Sequence, residues 1–299
     1  MCNIDKGFIP KISIIIPMYN SETFLKKCLD SVIVQTMKSF EIIIIDDKST
    51  DRSLKIANEY TDKFNYIKIV NLQKNNGVSF ARNIGLEHAR GEYIFFLDSD
   101  DFIESNFLEV MYKNIKKCNA DIACCKYYYI KEKGKKNSNK KIYIRKCLFN
   151  HRPGKYNSVN IIGTLIKDTN LHFFLWNKIF KRDIILQNNL FFENKCFEDM
   201  IFTLKAFYFS HKIVIIDDFL YYYRKHNFSL TNSMSFDQLN SYLHSLKLIK
   251  SFLIEKDIYK IYKFSYIYLA LRFFISCLYR VPQALYSDLK KRRVSIPKT

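Results

Sequence analysis

Hydrophobic positions divide the first 125 residues into a repeated unit: a short apolar run, a polar turn and a stretch with helical spacing. The apolar runs begin 25 to 29 residues apart, about the length of one β-α-β unit. Most runs are almost unbroken, as in strands that helices cover on both faces. The pattern predicts an α/β domain with a largely parallel sheet and strands at Ile12–Ile16, Glu41–Ile45, Tyr66–Val70, Tyr93–Leu97 and Asp121–Cys125.

The pattern changes after residue 125. Residues 126–155 are strongly basic and predict an exposed loop or hairpin. A helical stretch at Glu198–Phe209 and a short strand at Ile213–Ile216 follow, and the sequence from Phe236 onward is helical, aromatic and basic. We therefore predict three parts: an α/β half at 1–125, a second half of the same domain at 126–235 and a helical extension at 236–299.

Charge is unevenly divided along the chain, which has a formal net charge of +19. Residues 1–125 carry 16 basic and 17 acidic side chains, whereas residues 126–299 carry 32 and 12. A basic half attracts an anionic partner, which composition alone leaves open among nucleic acid, a phosphorylated substrate and an anionic membrane surface. Aromatic and basic residues alternate in the extension, as at a membrane headgroup boundary, although an amphipathic helix packed on the domain has the same composition.

The cellular location follows from the apolar segments and the cysteines. The N-terminal segment lacks an apolar stretch of signal-peptide length, and the tract Phe264–Leu278 contains Arg272 and is shorter than the roughly 20 residues of a bilayer span. The 8 cysteines include no C-x-x-C pair. We expect a cytoplasmic protein with reduced thiols and no transmembrane helix, peripheral on the inner face of the cytoplasmic membrane.

Two groups of carboxylates follow predicted strands. Asp98, Asp100 and Asp101 come directly after the fourth strand, and such close like charges are unfavourable unless a cation is bound. Mg²⁺ and Mn²⁺ prefer oxygen ligands and keep positions for phosphate oxygens. Asp46 and Asp47 follow the second strand, where an acid can accept hydrogen bonds from a base or ribose, although both groups also suit turns. The sequence predicts a metal-diphosphate nucleotide site at this edge.

Glycine-rich phosphate loops are absent from the sequence. Neither G-x-G-x-x-G nor G-x-x-x-x-G-K-[ST] occurs, which argues against Rossmann dehydrogenases and P-loop NTPases. A sugar-phosphate nucleotidyltransferase is an alternative function, because such enzymes also use an α/β sheet with acidic metal ligands. They normally need a glycine-rich loop near the start of the chain. A non-enzymatic RNA- or membrane-binding protein is a second alternative, which the acidic strand ends disfavour because carboxylates repel phosphate.

Four segments, in order and spacing, resemble the family 2 glycosyltransferases: Ile14–Asn20, Asp46–Asp51, Asn76–Gly85 and Gly91–Asp101. The resemblance is close over residues 11–125 and looser at Trp176–Lys178, Glu198–Asp199 and Tyr223–His226. It implies a GT-A fold and inverting, metal-dependent transfer from a nucleotide-diphosphate sugar, most often a UDP-sugar. We expect transfer of a hexose or N-acetylhexosamine to a glycan or glycolipid acceptor in bacterial cell-surface polysaccharide synthesis.

The resemblance also assigns residues by position. The group at the nucleotide sugar comprises Pro17, Tyr19, Glu22, Asp46, Asp47, Asn76, Gly77, Arg82, Asp98 and Ser99. Asp47 corresponds to the acid that binds uracil. Mn²⁺ or Mg²⁺ is assigned to Asp100, with Asp98 and His226 as further ligands and Asp101 as an assistant.

Asp199, which opens a predicted helix, corresponds to the base that takes the proton of the acceptor hydroxyl. Acids also favour a helix N-terminus through the helix dipole, so a structural role is the alternative. Trp176 is predicted either to stack on an acceptor sugar or to pack in the core, and His226 has a structural alternative. The expected partners are a UDP-sugar, a glycan or lipid-linked acceptor and an anionic membrane, with no nucleic acid; a homodimer is left open.

Overall fold

The computed structural model describes residues 9–133, 141–147, 152–169, 171–193, 197–225 and 236–294 of the 299-residue chain. Its strands are β1 Ile12–Met18, β2 Phe40–Asp46, β3 Ile67–Asn71, β4 Tyr93–Phe96, β5 Phe102–Ile103, β6 Ile122–Lys133, β7 Lys141–Cys147, β8 Gly154–Asn157, β9 Lys178–Lys181 and β10 Lys212–Lys225. The five predicted strands correspond to β1, β2, β3, β4 and β6. The predicted Ile213–Ile216 strand is the first part of the longer β10.

Within the described residues, ten strands form one sheet in the order β3-β2-β1-β4-β9-β6-β10-β5, with β7 beside β6 and β8 beside β10. Strand β1 pairs in parallel with β2 and β4, β2 with β3, and β6 with β10. The predicted α/β class with a mostly parallel central sheet is confirmed. Strands β6 and β7 form the antiparallel hairpin predicted for the basic segment.

The helices are α1 Leu25–Ile33, α2 Ser53–Thr61, α3 Val78–His88, α4 Phe107–Cys118, α5 Ser158–Lys167, α6 Arg182–Gln187, α7 Glu198–Phe209, α8 Phe236–Glu255 and α9 Tyr259–Val294. They cover both faces of the sheet. Because successive residues of a strand point to opposite faces, each face has its own apolar core. Ile14 and Ile16 of β1 belong to one apolar core, with α1, α2 and α4, and Ile15 belongs to the other, with α3, α5, α7, α8 and α9.

Strand β9 lies between β4 and β6 and is antiparallel to both. Ile179 near its start pairs with Phe95 near the end of β4, and Lys178 pairs with Cys124 of β6. The segment that precedes β9 therefore arrives at the same edge as the carboxylates that follow β4. This edge, at the carboxyl ends of β1, β2 and β4, is where ligands bind in sheets of this kind.

The C-terminal extension consists of α8 and α9 over the described residues, as predicted. Within α9, the 20 residues Tyr259–Leu278 are long and apolar enough to cross a membrane, judged by length and composition alone. This stretch is longer than the Phe264–Leu278 tract on which the sequence-based expectation of no transmembrane helix rested. The sheet itself continues across the predicted boundary at residue 125, and that division and the one at residue 235 stay predictions.

Candidate active site

The loops after β1 and β2 are joined by hydrogen bonds at the carboxyl edge of the sheet. Asn20 N–H donates to Oγ of Ser49 (3.1 Å), and Asn20 Oδ1 accepts from Thr50 N–H (2.8 Å). Two predicted wall residues of the nucleotide pocket come just before Asn20: Pro17 is buried within β1, and Tyr19 is exposed directly after it. The connected loops hold these two residues at the predicted ligand-binding edge.

Two predicted nucleotide-binding acids, Asp46 and Glu22, accept hydrogen bonds from residues that follow β2. Asp46 Oδ1 accepts from Ser49 N–H (3.1 Å), which closes the turn after β2. Glu22 Oε2 accepts from the backbone N–H of Arg52 (3.0 Å) and from its Nε (3.3 Å). Both carboxylates therefore have structural partners, and their contact with a nucleotide stays a prediction.

Asp47 holds the loop between β3 and α3. Its Oδ1 accepts from Asn76 N–H (2.7 Å) and its Oδ2 from Gly77 N–H (2.8 Å). Gly77 has a φ of 87°, a left-handed conformation that glycine adopts without a Cβ penalty. Three of the predicted nucleotide-binding residues are thus in direct contact. Because a carboxylate oxygen has two lone pairs, each oxygen can accept one further bond from a ligand.

Arg82 connects the carboxylates after β4 with the start of α7. Its Nη2 donates to Oδ1 of Asp98 (3.0 Å), and its Nη1 donates to Oε1 of Glu198, a residue 116 positions later in the chain. The guanidinium is buried, and burial raises the pKa of Asp98 even though Arg82 opposes the rise. Asp98 and Arg82 were predicted at the nucleotide sugar, but no role was assigned to Glu198. One buried cation therefore spans the predicted donor side and the predicted base side.

Replacing Arg82 by methionine is expected to lower the free energy of unfolding by about 3 kcal/mol at pH 7, because it leaves the buried Glu198 and the partly buried Asp98 without their cation partner. The loss should shrink as pH falls, since protonation of Asp98, whose pKa is raised by burial, removes one of these charges. Urea unfolding at pH 7 and at a lower pH measures the change in the free energy of unfolding. Lys116→Met is the control, because Lys116 binds Glu92 at 2.8 Å with both side chains well exposed, and a loss below about 1 kcal/mol is expected. Equal losses in the two variants would contradict the central role of Arg82.

The carboxylates after β4 differ in their contacts. Asp101 is buried, and accepts from Tyr221 OH (2.7 Å) and from Arg224 N–H (2.6 Å) of β10. Burial, followed by the nearby charges of Asp100 and Asp98, raises the pKa of Asp101 well above its usual range. Asp101 therefore ties the loop to β10, and its side chain is committed to that contact. Ser99 makes a hydroxyl contact of 2.6 Å with Ser21 Oγ.

The donor set that these residues offer fits a divalent cation shared with a ligand. Asp98 and Asp100 lie close enough for each charge to raise the pKa of Asp101, and a cation relieves such repulsion. Among the described residues, no group of three His, Cys, Asp or Glu side chains surrounds a possible ion. Two carboxylates suit Mg²⁺ or Mn²⁺ when diphosphate oxygens and water complete the shell. The third predicted ligand, His226, lies outside the described residues.

Asp199, the neighbour in the chain of the Glu198 that Arg82 binds, lines a cavity of about 120 Å³. Phe197, Asp199 and Met200 line one part of it, and its remaining lining residues are Asp168, Phe173, Phe174 and Tyr242. Burial, with a contribution from the charge of Glu198, raises the pKa of Asp199 to about 8. A carboxylate of raised pKa holds a proton strongly, which a general base requires. The aromatic walls offer flat surfaces to a ligand beside this carboxylate.

A buried lysine shapes this cavity. Lys178 Nζ donates to the carbonyl oxygens of His172 (2.8 Å) and Phe174 (2.5 Å) and to Oδ1 of Asn177 (2.9 Å). These bonds satisfy the three N–H donors of the ammonium group and fix the segment that bears Phe173 and Phe174. Burial lowers the pKa of Lys178.

Trp176, in the same segment, packs among aromatic rings. Its ring stacks on Phe174 (4.7 Å between centroids), Tyr221 (4.6 Å) and Tyr223 (5.2 Å), and meets Tyr127 edge-on (4.7 Å). The indole is 6% exposed. Its faces are in contact with protein, so the structure favours the core role over stacking on an acceptor sugar.

The far wall of the cavity depends on α9. Asp168 follows α5 in a left-handed conformation, with a φ of 50°, and Nη1 of Arg272 donates to its carbonyl and to that of Lys167 (2.9 Å). The Asp168 carboxylate lies 3.0 Å from Nδ1 of His172. The ring of Tyr242 stacks on Phe273 of α9 with 4.0 Å between centroids.

Sequence reasoning did not assign Glu198, Lys178, Asp168 or Tyr242 to the site. Glu198 carried a usable signal, because two adjacent acids at the start of an apolar helix require a cation partner. Asp168 and Tyr242 carried none, since each reaches the cavity only through the packing of α5, α8 and α9.

Comparisons with known proteins agree with this architecture. A family model described as glycosyl transferase family 2 matches residues 13–184. The chain is 36% identical over 252 residues to the cholesterol galactosyltransferase of Borreliella burgdorferi, covering 80% of this chain and 65% of that protein. It is 33% identical over 225 residues to the uncharacterized glycosyltransferase EpsJ of Bacillus subtilis, covering 75% of this chain and 63% of that protein.

The fold is shared with a solved glycosyltransferase. The crystal structure of Staphylococcus aureus TarS 1–349 in complex with UDP-GlcNAc superposes with a TM-score of 0.63 and 27% identity, covering 80% of this chain and 66% of that one. The GT-A fold implied by the sequence resemblance is confirmed. This chain spans slightly less than two thirds of the length of each of these relatives. The family model extends over more than half of the chain, and the protein therefore belongs to glycosyl transferase family 2.

Proposed function

We propose that the protein is an inverting glycosyltransferase that moves a hexose or N-acetylhexosamine from a UDP-sugar to a glycan or glycolipid hydroxyl in bacterial cell-surface polysaccharide synthesis. The observation that carries the proposal is the Arg82 contact, which joins Asp98 at the nucleotide edge to Glu198 beside the Asp199 cavity. It brings a donor side and a base side into one site. Membership of the family favours a transferase over the nucleotidyltransferase and non-enzymatic alternatives.

The donor would lie along the carboxyl ends of β1, β2 and β4. Asp47, with Asn76 and Gly77, forms the base end of this edge, and Asp98 and Asp100 form the diphosphate end. Held by these two carboxylates, Mn²⁺ or Mg²⁺ supplies Lewis-acid neutralisation of the charge that grows on the departing diphosphate. Arg82 fixes the orientation of the Asp98 carboxylate through its hydrogen bond to Oδ1. His226 stays a proposed further ligand.

The acceptor would enter the Asp199 cavity. In the transfer, the acceptor oxygen forms a bond to the anomeric carbon while the bond from that carbon to the diphosphate breaks, and the acceptor proton passes to the Asp199 carboxylate. Attack from the face opposite UDP inverts the anomeric configuration. The aromatic walls suit the apolar face of a sugar ring or a lipid.

The relatives support a range of acceptors. One is named for cholesterol, and a second relative, 29% identical, is the poly(ribitol-phosphate) beta-N-acetylglucosaminyltransferase TarS of Staphylococcus aureus. The solved TarS complex contains UDP-GlcNAc, which supports a UDP-sugar as donor. We propose a cytoplasmic location on the inner face of the membrane, where both kinds of acceptor can be met. A homodimer stays compatible with this function.

Calorimetric titration of UDP, with and without Mn²⁺, tests the donor site. We expect binding about tenfold tighter with Mn²⁺, and Asp47→Ala to weaken it about tenfold through loss of hydrogen bonds to the base and to the loop. Asp62→Ala, at an exposed acid after α2, is the control and should bind as the wild type does. Wild-type protein that binds GDP or dTDP but not UDP would overturn the proposed donor.

A further inference from the structure

Helix α9 presents an apolar face to the outside of the molecule. We name this face the outer stripe; its residues are Ile261, Phe264, Ile267, Tyr268, Leu271, Phe274, Ile275 and Leu278, all exposed. At 100° per residue they occupy an arc of about 140° on one side of the helix. Phe264 is 82% exposed, which is unusual for so large an apolar side chain. A contiguous face of this kind indicates a binding surface rather than scattered surface residues.

The opposite side of α9 is fixed to the domain. Tyr262, Leu269 and Phe273 are buried there. Tyr262 OH donates to the carbonyl of Val159 (2.8 Å), and Arg272 holds the end of α5. A bilayer-spanning role for Tyr259–Leu278 would remove these residues from their contacts. The structure therefore favours a helix that lies along a surface while its inner side stays packed.

The charges of α9 indicate which surface this is. Between residues 259 and 294 the sequence has eight basic residues and one acidic residue. Lys260 and Lys263 are exposed close to the outer stripe. Aromatic and aliphatic side chains bordered by lysines are typical of helices that bind at the headgroup boundary of an anionic membrane.

A second copy of the chain is the competing occupant. Ile261, Phe264, Tyr268, Leu271 and Ile275 follow the three- and four-residue spacing of a coiled coil. Coiled coils pair opposite charges beside such a seam, and α9 has almost no acids to pair with its lysines and arginines. Self-association through this face would bring like charges together. Charge complementarity therefore favours anionic lipid.

We propose that the outer stripe of α9 docks on an anionic lipid bilayer as an interfacial helix. The same helix bears Arg272 and Phe273, which hold Asp168 and Tyr242 of the cavity wall. Docking would place the Asp199 cavity close to the membrane, where a lipid or lipid-linked hydroxyl is available. The outer stripe would be the surface that holds the protein at the membrane, and this inference rests on the proposed function. Vesicle binding needs no donor or acceptor, so its failure would leave the transferase proposal intact.

Flotation of the full chain with vesicles tests the proposal. We expect the wild type to bind vesicles that contain phosphatidylglycerol more strongly than vesicles of phosphatidylcholine alone, and less strongly at high salt. The variant Phe264→Ser/Leu271→Ser/Ile275→Ser should lower the bound fraction about tenfold, because it removes three apolar anchors. The control variant Val34→Ser/Leu186→Ser, at exposed apolar residues outside α9, should bind as the wild type does.

A charge-reversal variant keeps the test decisive if the serine variant misfolds. Lys260→Glu/Lys263→Glu should weaken binding to the anionic vesicles and leave binding to the neutral ones unchanged. Equal vesicle binding by wild type and both α9 variants would overturn the proposal. A wild type that binds no vesicles would also overturn it. If that wild type sediments as a dimer and the serine variant as a monomer, a second copy of the chain covers the outer stripe.

Discussion

Replacing Asp199 by asparagine is expected to lower kcat about a thousandfold or more while UDP still binds. The amide has the shape of the carboxylate but cannot take the acceptor proton, and general base catalysis contributes about 10²–10⁴-fold. Initial rates of UDP release with a UDP-sugar and an acceptor measure the loss, and calorimetry with UDP checks donor binding. Asp168→Asn is the matched control, because Asp168 lines the same cavity and asparagine tolerates its left-handed backbone. A less than tenfold effect is expected there.

The pH dependence gives this prediction a second readout. The deprotonated carboxylate is the active form, so kcat/KM of the wild type should rise with pH and level off above about 8, the raised pKa of Asp199. The variant should lack this rise. Activity of Asp199→Asn within tenfold of the wild type would exclude Asp199 as the base.

Stability supplies a check that needs no substrate. Because the folded protein holds the Asp199 proton more tightly than the unfolded chain, this stabilisation is full below about pH 4 and is lost as pH rises through about 8. The asparagine variant has no proton to lose there. Its free energy of unfolding should therefore fall less between these pH values, by at least about 1 kcal/mol.

Asp100→Ala is expected to abolish metal-dependent turnover, with a loss of roughly a thousandfold, because it removes one of the two carboxylates that fit the cation. The folded state should survive, since the change relieves repulsion with Asp98 and Asp101. Rates measured across a Mn²⁺ titration and the thermal midpoint report the two effects.

Asp101→Ala separates the metal role from a structural one. This variant should lower the free energy of unfolding by about 1–3 kcal/mol, because Arg224 N–H and Tyr221 OH lose a buried acceptor. Unchanged turnover in Asp100→Ala would remove the proposed metal site. A destabilisation of Asp100→Ala as large as that of Asp101→Ala would assign both residues to the loop.

Local patterns were sufficient to predict strands β1, β2, β3, β4 and β6, the first part of β10, and the edge at which the candidate site lies. Ile12–Ile16 and its counterparts are apolar because both faces of the sheet are covered, and this property is visible in the sequence. The carboxyl ends of parallel strands meet at one edge, so the sequence places Asp47 and Asp98 at the same edge. The family resemblance then gave them roles.

Partners far apart in the chain were not predictable in this way. Glu198 lies 116 residues from Arg82, and nothing local indicates that one guanidinium binds both it and Asp98. Asp100 and Asp101 are adjacent and alike in sequence, yet Asp101 turns to β10. Packing alone decided between the two interpretations of Trp176, because Tyr221 and Tyr223 of β10 stack on its ring.

The place of β9 in the sheet has a consequence for how the chain can be divided and how it folds. Strands β1 to β4 can pair as soon as they are synthesised, but the β4 edge that β9 covers stays open until residues 178–181 are available. The facing edge of β6 waits for the same strand. An open apolar strand edge invites pairing with other chains. A fragment of residues 1–125 would keep that edge permanently, so the amino-terminal half, although it bears all ten predicted nucleotide-binding residues, needs β9 from the second half to close its sheet.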